Sequence, residues 1–398
     1  MFLAIFLASV CLGIYPFVIY PSYLWIRTRR LSAHARRESL TLPSFSVIIP
    51  CHNEERVIQR KVANTLTCAE NTKSKFTVIV VSDASTDRTC DIARQFGSQI
   101  HLIELKQHSG ILGAFRAGLE VADGEVVIFS DADVVLAPDT LSLLLSHYAD
   151  PQVGGVCGFT SMHVQSGSGL YAEQLHIGLR AFILEKQSVL HSIIGADGSN
   201  WSVRRHLITL PTEKIIADDL VIPLEVLHRG YRYVFERRAA ALETSPPSIE
   251  HGFRRRVRTI AGGMQAATYC RWMFSRGHRR VGFHFVSCKL AKHATIIWAA
   301  VAAICAIIMA QHSVVFSRIA MLIYVVAAAV AICGAVRAVL KNRTPAPINI
   351  VWHLFLAIFA PIWALWYVVR QGRTGTWEMT PRADMPESMN VTDASRSR

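Results

Sequence analysis

The stretch from Phe2 to Ile26 (FLAIFLASVCLGIYPFVIYPSYLWI) contains no charged residue. A run this long and apolar crosses the hydrocarbon core of a bilayer when it forms a helix that satisfies its own backbone hydrogen bonds. No basic residue opens it, and it exceeds the short apolar core of a secretory signal, which predicts an uncleaved membrane helix. Further candidates lie near the other end, at Ala294–Ala310, Ile319–Leu340 and Ile348–Val369, the last interrupted by Pro361. Packed membrane helices tolerate such a proline.

Arg27, Arg29, Arg30, Arg36 and Arg37 follow the first apolar run, so the positive-inside rule puts its C-terminal end in the cytoplasm. The expected organisation is an N-terminal transmembrane helix (1–26), a cytoplasmic domain (27–267), an interfacial amphipathic segment (268–293), about three C-terminal transmembrane helices (294–370) and a polar tail (371–398). This describes a multi-pass protein of the cell (inner) membrane. The net charge of +13 implies an anionic partner. Basic residues cluster beside the apolar segments, at 27–37, 254–258 and 271–292, so the expected partner is the lipid bilayer and not nucleic acid. The cysteines are scattered without a C-x-x-C pair, as expected of reduced thiols and not of a disulfide frame or zinc site.

From Phe45 onward short β-branched runs alternate with amphipathic ones. Strands are predicted at Phe45–Ile49, Thr77–Val81, Ile100–Leu105 and Val126–Phe129, with helices near Glu54–Thr67, Thr86–Gln95 and Gly113–Val121. That alternation predicts an α/β fold with a parallel sheet covered on both faces, whose ligands bind beyond the carboxyl ends of the strands. Polar clusters stand at those ends: Cys51-His52-Asn53-Glu54-Glu55, Ser82-Asp83-Ala84-Ser85-Thr86-Asp87 and Asp131-Ala132-Asp133. One alone reads as a helix cap; several on one edge read as a site. No G-x-G-x-x-G or Walker loop is present, so dinucleotide and P-loop folds lack their phosphate cradle.

The pair Asp131 and Asp133 closes a buried apolar run, where carboxylates repel each other and resist burial. Residues i and i+2 leaving a strand point the same way. A hard divalent cation held between them cancels the repulsion and commonly carries substrate phosphates as well. Further on, Asp218 and Asp219 are again flanked by apolar residues; a buried carboxylate can act as a general base, and Asp218 can equally be a helix cap. The run Arg254-Arg255-Arg256-Val257-Arg258 reads as a solvated or lipid-facing surface from which one guanidinium could clamp a diphosphate. Read from its own residues, Gly195-Ala196-Asp197-Gly198-Ser199-Asn200-Trp201 is a turn with a half-buried tryptophan.

These residues resemble the membrane glycosyltransferases of family 2, the processive type that includes cellulose, chitin, hyaluronan and poly-N-acetylglucosamine synthases. The resemblance covers Phe45 to Ala267 and the flanking apolar segments. FSVIIPCHNEE is similar to the family's opening strand and P-x-x-N-E loop, VVSDASTDRT to V-D-D-G-S-T-D-x-T, FSDADVVL to the D-x-D strand, and ADDL to the final acidic pair. The resemblance implies a GT-A (Rossmann-like, nucleotide-sugar-binding) fold and inverting sugar transfer. It implies that Pro50, Asn53, Glu54, Asp83, Asp131, Asp133 and Arg258 bind the UDP- or GDP-sugar donor. It further implies Mg²⁺ or Mn²⁺ on Asp131 and Asp133, Asp219 as catalytic base, and Asp197, Asn200, Trp201, Asp218 and Arg255 on the acceptor side.

The family's Q-x-x-R-W motif stands here as Arg255-Arg256-Val257-Arg258-Thr259, and Ile111 and Arg116 stand where a lysine and an asparagine are usual. Threonine offers no ring to stack on a sugar. The leading expectation is transfer to a growing exopolysaccharide or its repeat unit. The alternatives are a single transfer to a lipid carrier or glycolipid, and a catalytically inactive assembly partner. The last is opposed by the presence of Asp83, Asp131, Asp133 and Asp219 together.

Overall fold

The computed structural model describes residues 1–31, 41–163, 170–196, 198–212, 215–244, 249–326 and 359–368. The β-branched runs form strands within a residue or two of the expected positions: β1 (Phe45–Cys51), β2 (Phe76–Asp83), β3 (His101–Leu105) and β4 (Val126–Ser130). β1 and β4 are buried along their whole length, as expected of parallel strands covered on both faces. The two-residue repeat divides their side chains between two cores. Ile48, Ile79, Val81, Val127 and Phe129 enter one, while Val47, Ile49, Val78, Val80 and Ile128 enter the other.

Later strands widen the sheet: β5 (Val135–Leu136), β6 (Val153–His163), β7 (Asn200–Arg204) and β8 (Arg232–Thr244). The order is β3-β2-β1-β4-β7-β6-β8-β5. β1, β2, β3 and β4 run parallel, while β7 is antiparallel to both β4 and β6. β1 pairs with β4 only as far as Ile48 but with β2 as far as Cys51, so Pro50, which has no N–H to give, stands beyond the β4 ladder. The strands after β4 escape sequence prediction because β6 is rich in glycine and β8 in arginine and alanine, neither of which marks a strand. Gly158 shows why a small residue is needed: a Cβ there would lie 2.2 Å from Asn200 Nδ2.

Two helices, Phe2–Thr28 and Arg276–Met309, are long and apolar enough to cross a bilayer. They pack antiparallel: Thr295 reaches the Gly13 carbonyl, Tyr15 Oη lies 2.7 Å from Ser287 Oγ, and Tyr20 Oη lies 2.8 Å from His284 Nδ1. Gln187, from the helix Leu170–Leu190, donates to the same Tyr20 hydroxyl at 2.7 Å, tying the pair to the sheet domain. Their outer faces expose Leu7, Phe17, Val18, Ile297 and Ile304, a surface that water disfavours. Of the segment 268–293, expected as interfacial, residues 276–293 belong to the helix that runs on to Met309. Of the remaining expected spans, Val314–Val326 and Phe359–Val368 are helical, and the rest of Ile319–Leu340 and Ile348–Val369 lies outside the described residues.

Trp201 sits at the centre of the first core, 0% exposed, with its ring 4.2 Å from that of Phe129 and 6.2 Å from that of Phe115. Replacing so large a buried side chain by alanine removes its contacts and leaves a cavity. Trp201→Ala is expected to cost about 3–5 kcal/mol, read as a lowered unfolding midpoint of the detergent-solubilised protein.

Candidate active site

The loops after β1 and β2 are built against each other. Asn53 and Ala84 both take left-handed backbone conformations, with φ of 53° and 56°. Such a conformation is tolerated by asparagine and strained for alanine. Asn53 donates its backbone N–H to Ser85 Oγ at 3.1 Å, and its side-chain oxygen accepts from the Thr86 N–H at 2.7 Å. Glu54 is buried, and its N–H donates to Thr89 Oγ1 at 2.7 Å. These bonds fasten the two loops to each other.

Asp83, at the end of β2, is 0% exposed. Its carboxylate accepts from the backbone N–H groups of Ser109 (2.7 Å) and Gly110 (2.8 Å) and lies 2.9 Å from His108 Nδ1. Ser109 and Gly110 open the helix Gly110–Val121, so Asp83 satisfies the orphan donors of its first turn. This anchors the helix to β2 and sets the His108 ring 4.7 Å from that of His52.

The Asp131–Asp133 turn is held from below by a lysine. Lys61 Nζ donates to Ser130 Oγ at 2.6 Å and to the Val134 carbonyl at 2.9 Å, the residues on either side of the turn. Lys61 is 1% exposed; burial pushes its ammonium down to about 8, against the pull of Asp131 and Asp133 toward the charged form. Sequence reasoning missed it, although a signal exists. Ile58, Val62, Thr65, Leu66 and Ala69 form the buried stripe of the helix Ile58–Glu70, and Lys61 falls on that stripe at helical spacing.

Asp218 and Asp219 occupy the first turn of the helix Asp218–His228, capped by Ala217. Pro223 lies inside this helix and brings no N–H to the carbonyl four residues earlier, which is that of Asp219. That carbonyl instead accepts from Ala196 N at 2.7 Å, so the proline leaves it free to hold Ala196 beside the acidic pair. Gly198, with φ +72°, comes close enough that a Cβ there would stand 3.4 Å from Asp219 Oδ2. Burial, then Asp219 and Asp131, raise Asp218 well above the ordinary carboxylate range. Burial also raises Asp219, but Lys289, Arg180, Arg258 and Arg255 oppose it. Both carboxyls are thus held above the ordinary range, and the cations gather chiefly on Asp219.

Arg255 and Arg258 project from the helix Ile249–Tyr269. Arg255 is locked to Glu243 of β8 through two contacts, at 2.6 Å and 3.1 Å, and its charge also acts on Asp133 and Asp131. Arg258 faces Asp131, Asp218 and Tyr367. Val257, Ile260 and Ala261 of this helix pack on Ala360 and Ala364, so the arginine register is set by the apolar helix Phe359–Val368.

Of the residues expected at the acceptor side, Trp201 is a core residue, because its ring is enclosed by Phe129 and Phe115 and has no face left for a sugar. Asn200 is likewise 0% exposed and donates to the Ala239 carbonyl. Asp197 lies outside the described residues. Asp131 and Asp133 supply hard oxygen donors, and no group of three or more His, Cys, Asp or Glu able to hold a metal gathers among the described residues. Two carboxylates fit a Mg²⁺- or Mn²⁺-type ion that completes its shell with substrate phosphate and water, not a cage made by protein alone.

A parallel half-sheet with carboxylates at its carboxyl edge and a second acidic pair opposite defines a nucleotide-binding α/β class. The mannosyltransferase PcManGT from Pyrobaculum calidifontis, solved in complex with GDP-Man and Mn²⁺, covers 94% of this chain and 100% of its own, with a TM-score of 0.68 at 20% identity. That likeness establishes a GT-A-like fold. Residues 46–209 match glycosyl transferase family 2. The probable glycosyltransferase YdaM of Bacillus subtilis is 27% identical over 242 residues, 57% of each protein. The poly-beta-1,6-N-acetyl-D-glucosamine synthase of Staphylococcus aureus is 20% identical over 231 residues, 56% of this chain and 55% of the synthase. The matched region spans little more than half the length of these relatives.

Lys61→Met keeps the stem but leaves Ser130 Oγ and the Val134 carbonyl without their donor. The expected loss is about 1–3 kcal/mol of stability, measured by equilibrium unfolding in detergent.

Proposed function

We propose that this chain is a membrane-bound, inverting glycosyltransferase that moves a sugar from a nucleotide-sugar donor to a glycan or lipid-linked acceptor. The observation that carries the reading is the meeting of two carboxylate pairs from distant parts of the chain. Asp131 acts electrostatically on Asp218, while Lys289, Arg180, Arg258 and Arg255 act on Asp219.

In this reading Asp219 accepts the proton of an acceptor hydroxyl. The hydroxyl oxygen bonds to the anomeric carbon, the bond from that carbon to the diphosphate oxygen breaks, and the electron pair leaves with the nucleoside diphosphate. The stereochemistry inverts because entry and departure are on opposite faces. Arg258 faces the departing charge from the Asp131 side, and guanidinium suits a phosphate geometrically. Asp131 and Asp133 would hold a divalent ion, which when bound neutralises charge developing on the diphosphate. GDP-Man with Mn²⁺ in the Pyrobaculum enzyme supports a UDP- or GDP-sugar donor and such an ion. The loops that carry Asn53, Glu54 and Asp83 flank the donor side in this reading.

The helices Phe2–Thr28 and Arg276–Met309 anchor the domain to the inner membrane in a multi-pass arrangement, with the catalytic domain in the cytoplasm. The synthase among the relatives supports an acceptor that is a growing exopolysaccharide or its repeat unit. Release of nucleoside diphosphate by the full chain in lipid nanodiscs, offered a panel of nucleotide sugars with Mn²⁺ or Mg²⁺, tests the reading. Release with one donor, lost with chelator and reduced at least about a hundredfold in Asp219→Asn, is the expected outcome. Well-folded protein that binds no nucleotide and releases none would overturn it.

A further inference from the structure

At the carboxyl ends of β1 and β2 the polar side chains bind one another, and a single histidine nitrogen is left over. Both oxygens of the buried Asp83 carboxylate are engaged, by the Ser109 N–H at 2.7 Å and the Gly110 N–H at 2.8 Å. The Asp83 backbone carbonyl accepts from His52 Nδ1 at 2.6 Å, and His52 Nε2 accepts from Asn53 Nδ2 at 3.3 Å. His52 therefore uses both ring nitrogens within the loops. His108 Nδ1 stands 2.9 Å from Asp83 Oδ2. Two lone pairs repel at that distance, so Nδ1 carries the proton, and in the neutral ring Nε2 is a bare acceptor. Among the described residues no hydrogen bond reaches His108 Nε2, and the side chain is 33% exposed.

The strand order sets this acceptor within reach of a nucleoside. Ligands of such sheets lie beyond the carboxyl ends of the strands. The order β2-β1-β4 puts the end of β2 two strand spacings, about 10 Å, from the Asp131–Asp133 turn, a distance that a ribose and its base span. His108 follows β3, whose Leu105 is paired with Asp83, so it borders the β2 end from the outer side. On the other side of β4 lies β7, and the segment leading into β7 is bound to the Asp219 carbonyl through Ala196. A nucleotide sugar with its diphosphate at the Asp131–Asp133 turn and its sugar toward Asp219 therefore extends its base the opposite way, over β1 and β2. The His52 ring, 4.7 Å from that of His108 and tilted by 50°, supports His108 from one side there.

We propose that His108 Nε2 accepts the ring N–H of the donor's base, which makes His108 the residue that selects the nucleotide. The proposal rests on the glycosyl-transfer reading above, since the base it assigns is that of the sugar donor. Uracil offers such a hydrogen at N3 and guanine at N1. Cytosine and adenine carry a bare nitrogen at the same place, whose lone pair would meet the lone pair of Nε2. A site built around a fixed polar group rejects the analogue that leaves that group unpaired. The donor class is therefore a uridine or guanosine diphosphate sugar and not a cytidine or adenosine one. Asp83 takes part as a positioning residue, because it keeps the proton on His108 Nδ1 and fixes the main chain at Ser109 and Gly110.

The test is calorimetric binding of UDP, GDP, CDP and ADP, each with Mn²⁺, to the full chain in lipid nanodiscs. The native chain is expected to bind UDP at least about tenfold more tightly than CDP, or GDP than ADP. Methylating the ring nitrogen of the tighter binder, as 3-methyl-UDP or 1-methyl-GDP, is expected to cost about the same factor. In His108→Ala, and in His108→Phe, which keeps a ring beside His52, the preferred nucleotide should bind about tenfold more weakly and the preference between bases should vanish. Asp83 still holds Ser109 and Gly110 in both variants, so the helix stays capped. Equal binding of UDP and CDP together with equal binding of GDP and ADP overturns the proposal. Undiminished binding of the methylated nucleotide by the native chain overturns it without any variant. A variant that keeps the native preference, or that weakens every nucleotide by one factor as a structural role would, also overturns it. A chain that binds nucleotide without choosing the base refutes only this inference, whereas a well-folded chain that binds none refutes the transfer reading on which it stands.

Discussion

Carboxylates crowd the carboxyl edge of this sheet, and their mutual repulsion is the constraint to which the rest of the molecule answers. Asp131, Asp133, Asp218, Asp219 and Glu243 come from three segments of the chain, and the cations that act on them come from four helices. Lys61 rises under the Asp131–Asp133 turn, Arg255 clasps Glu243, Arg258 faces Asp131 and Asp218, and Arg180 and Lys289 act on Asp219. Removing one partner of such a buried arrangement leaves an uncompensated charge, which is far more damaging than losing the pair together. The helices that carry the cations are thereby required to pack where they do.

The backbone is arranged to serve the same edge. The order β2-β1-β4 brings the ends of those strands side by side, and left-handed residues at Asn53 and Ala84 turn two of the loops toward each other. Asp83 is spent on fixing a helix N-terminus, while Pro223 frees the Asp219 carbonyl to hold the neighbouring loop. On the far side, the apolar helix Phe359–Val368 sets the register of the arginine helix. The apolar segments therefore do more than anchor: they supply Lys289 and fix Arg258.

The first half of the sheet was legible in the sequence because strands buried on both faces must be continuous β-branched runs, and such runs leave few other readings. Asp131, Asp133 and Asp219 were legible for a related reason, since acids embedded in apolar sequence demand compensation. The second half of the sheet was not, because a strand rich in glycine (β6) or in alanine and arginine (β8) shows neither alternation nor propensity. Asn200 and Trp201 were misplaced because a polar or aromatic residue after a glycine turn has the same local sequence whether it faces a ligand or the core. Only the close approach of Gly158 to Asn200 and the stacking of Trp201 on Phe129 decided between them.

Sequence alone determined the fold class, the acidic pairs and the long apolar segments, each of which depends on composition and spacing within a few neighbouring residues. Tertiary structure decided which cation compensates which acid, that residues 276–293 belong to the helix ending at Met309, and that Asp83 caps a helix. The physical reason is common to all of these: electrostatic and packing partners are set by distance in space, and distance along the chain carries no information about it once the sheet has closed.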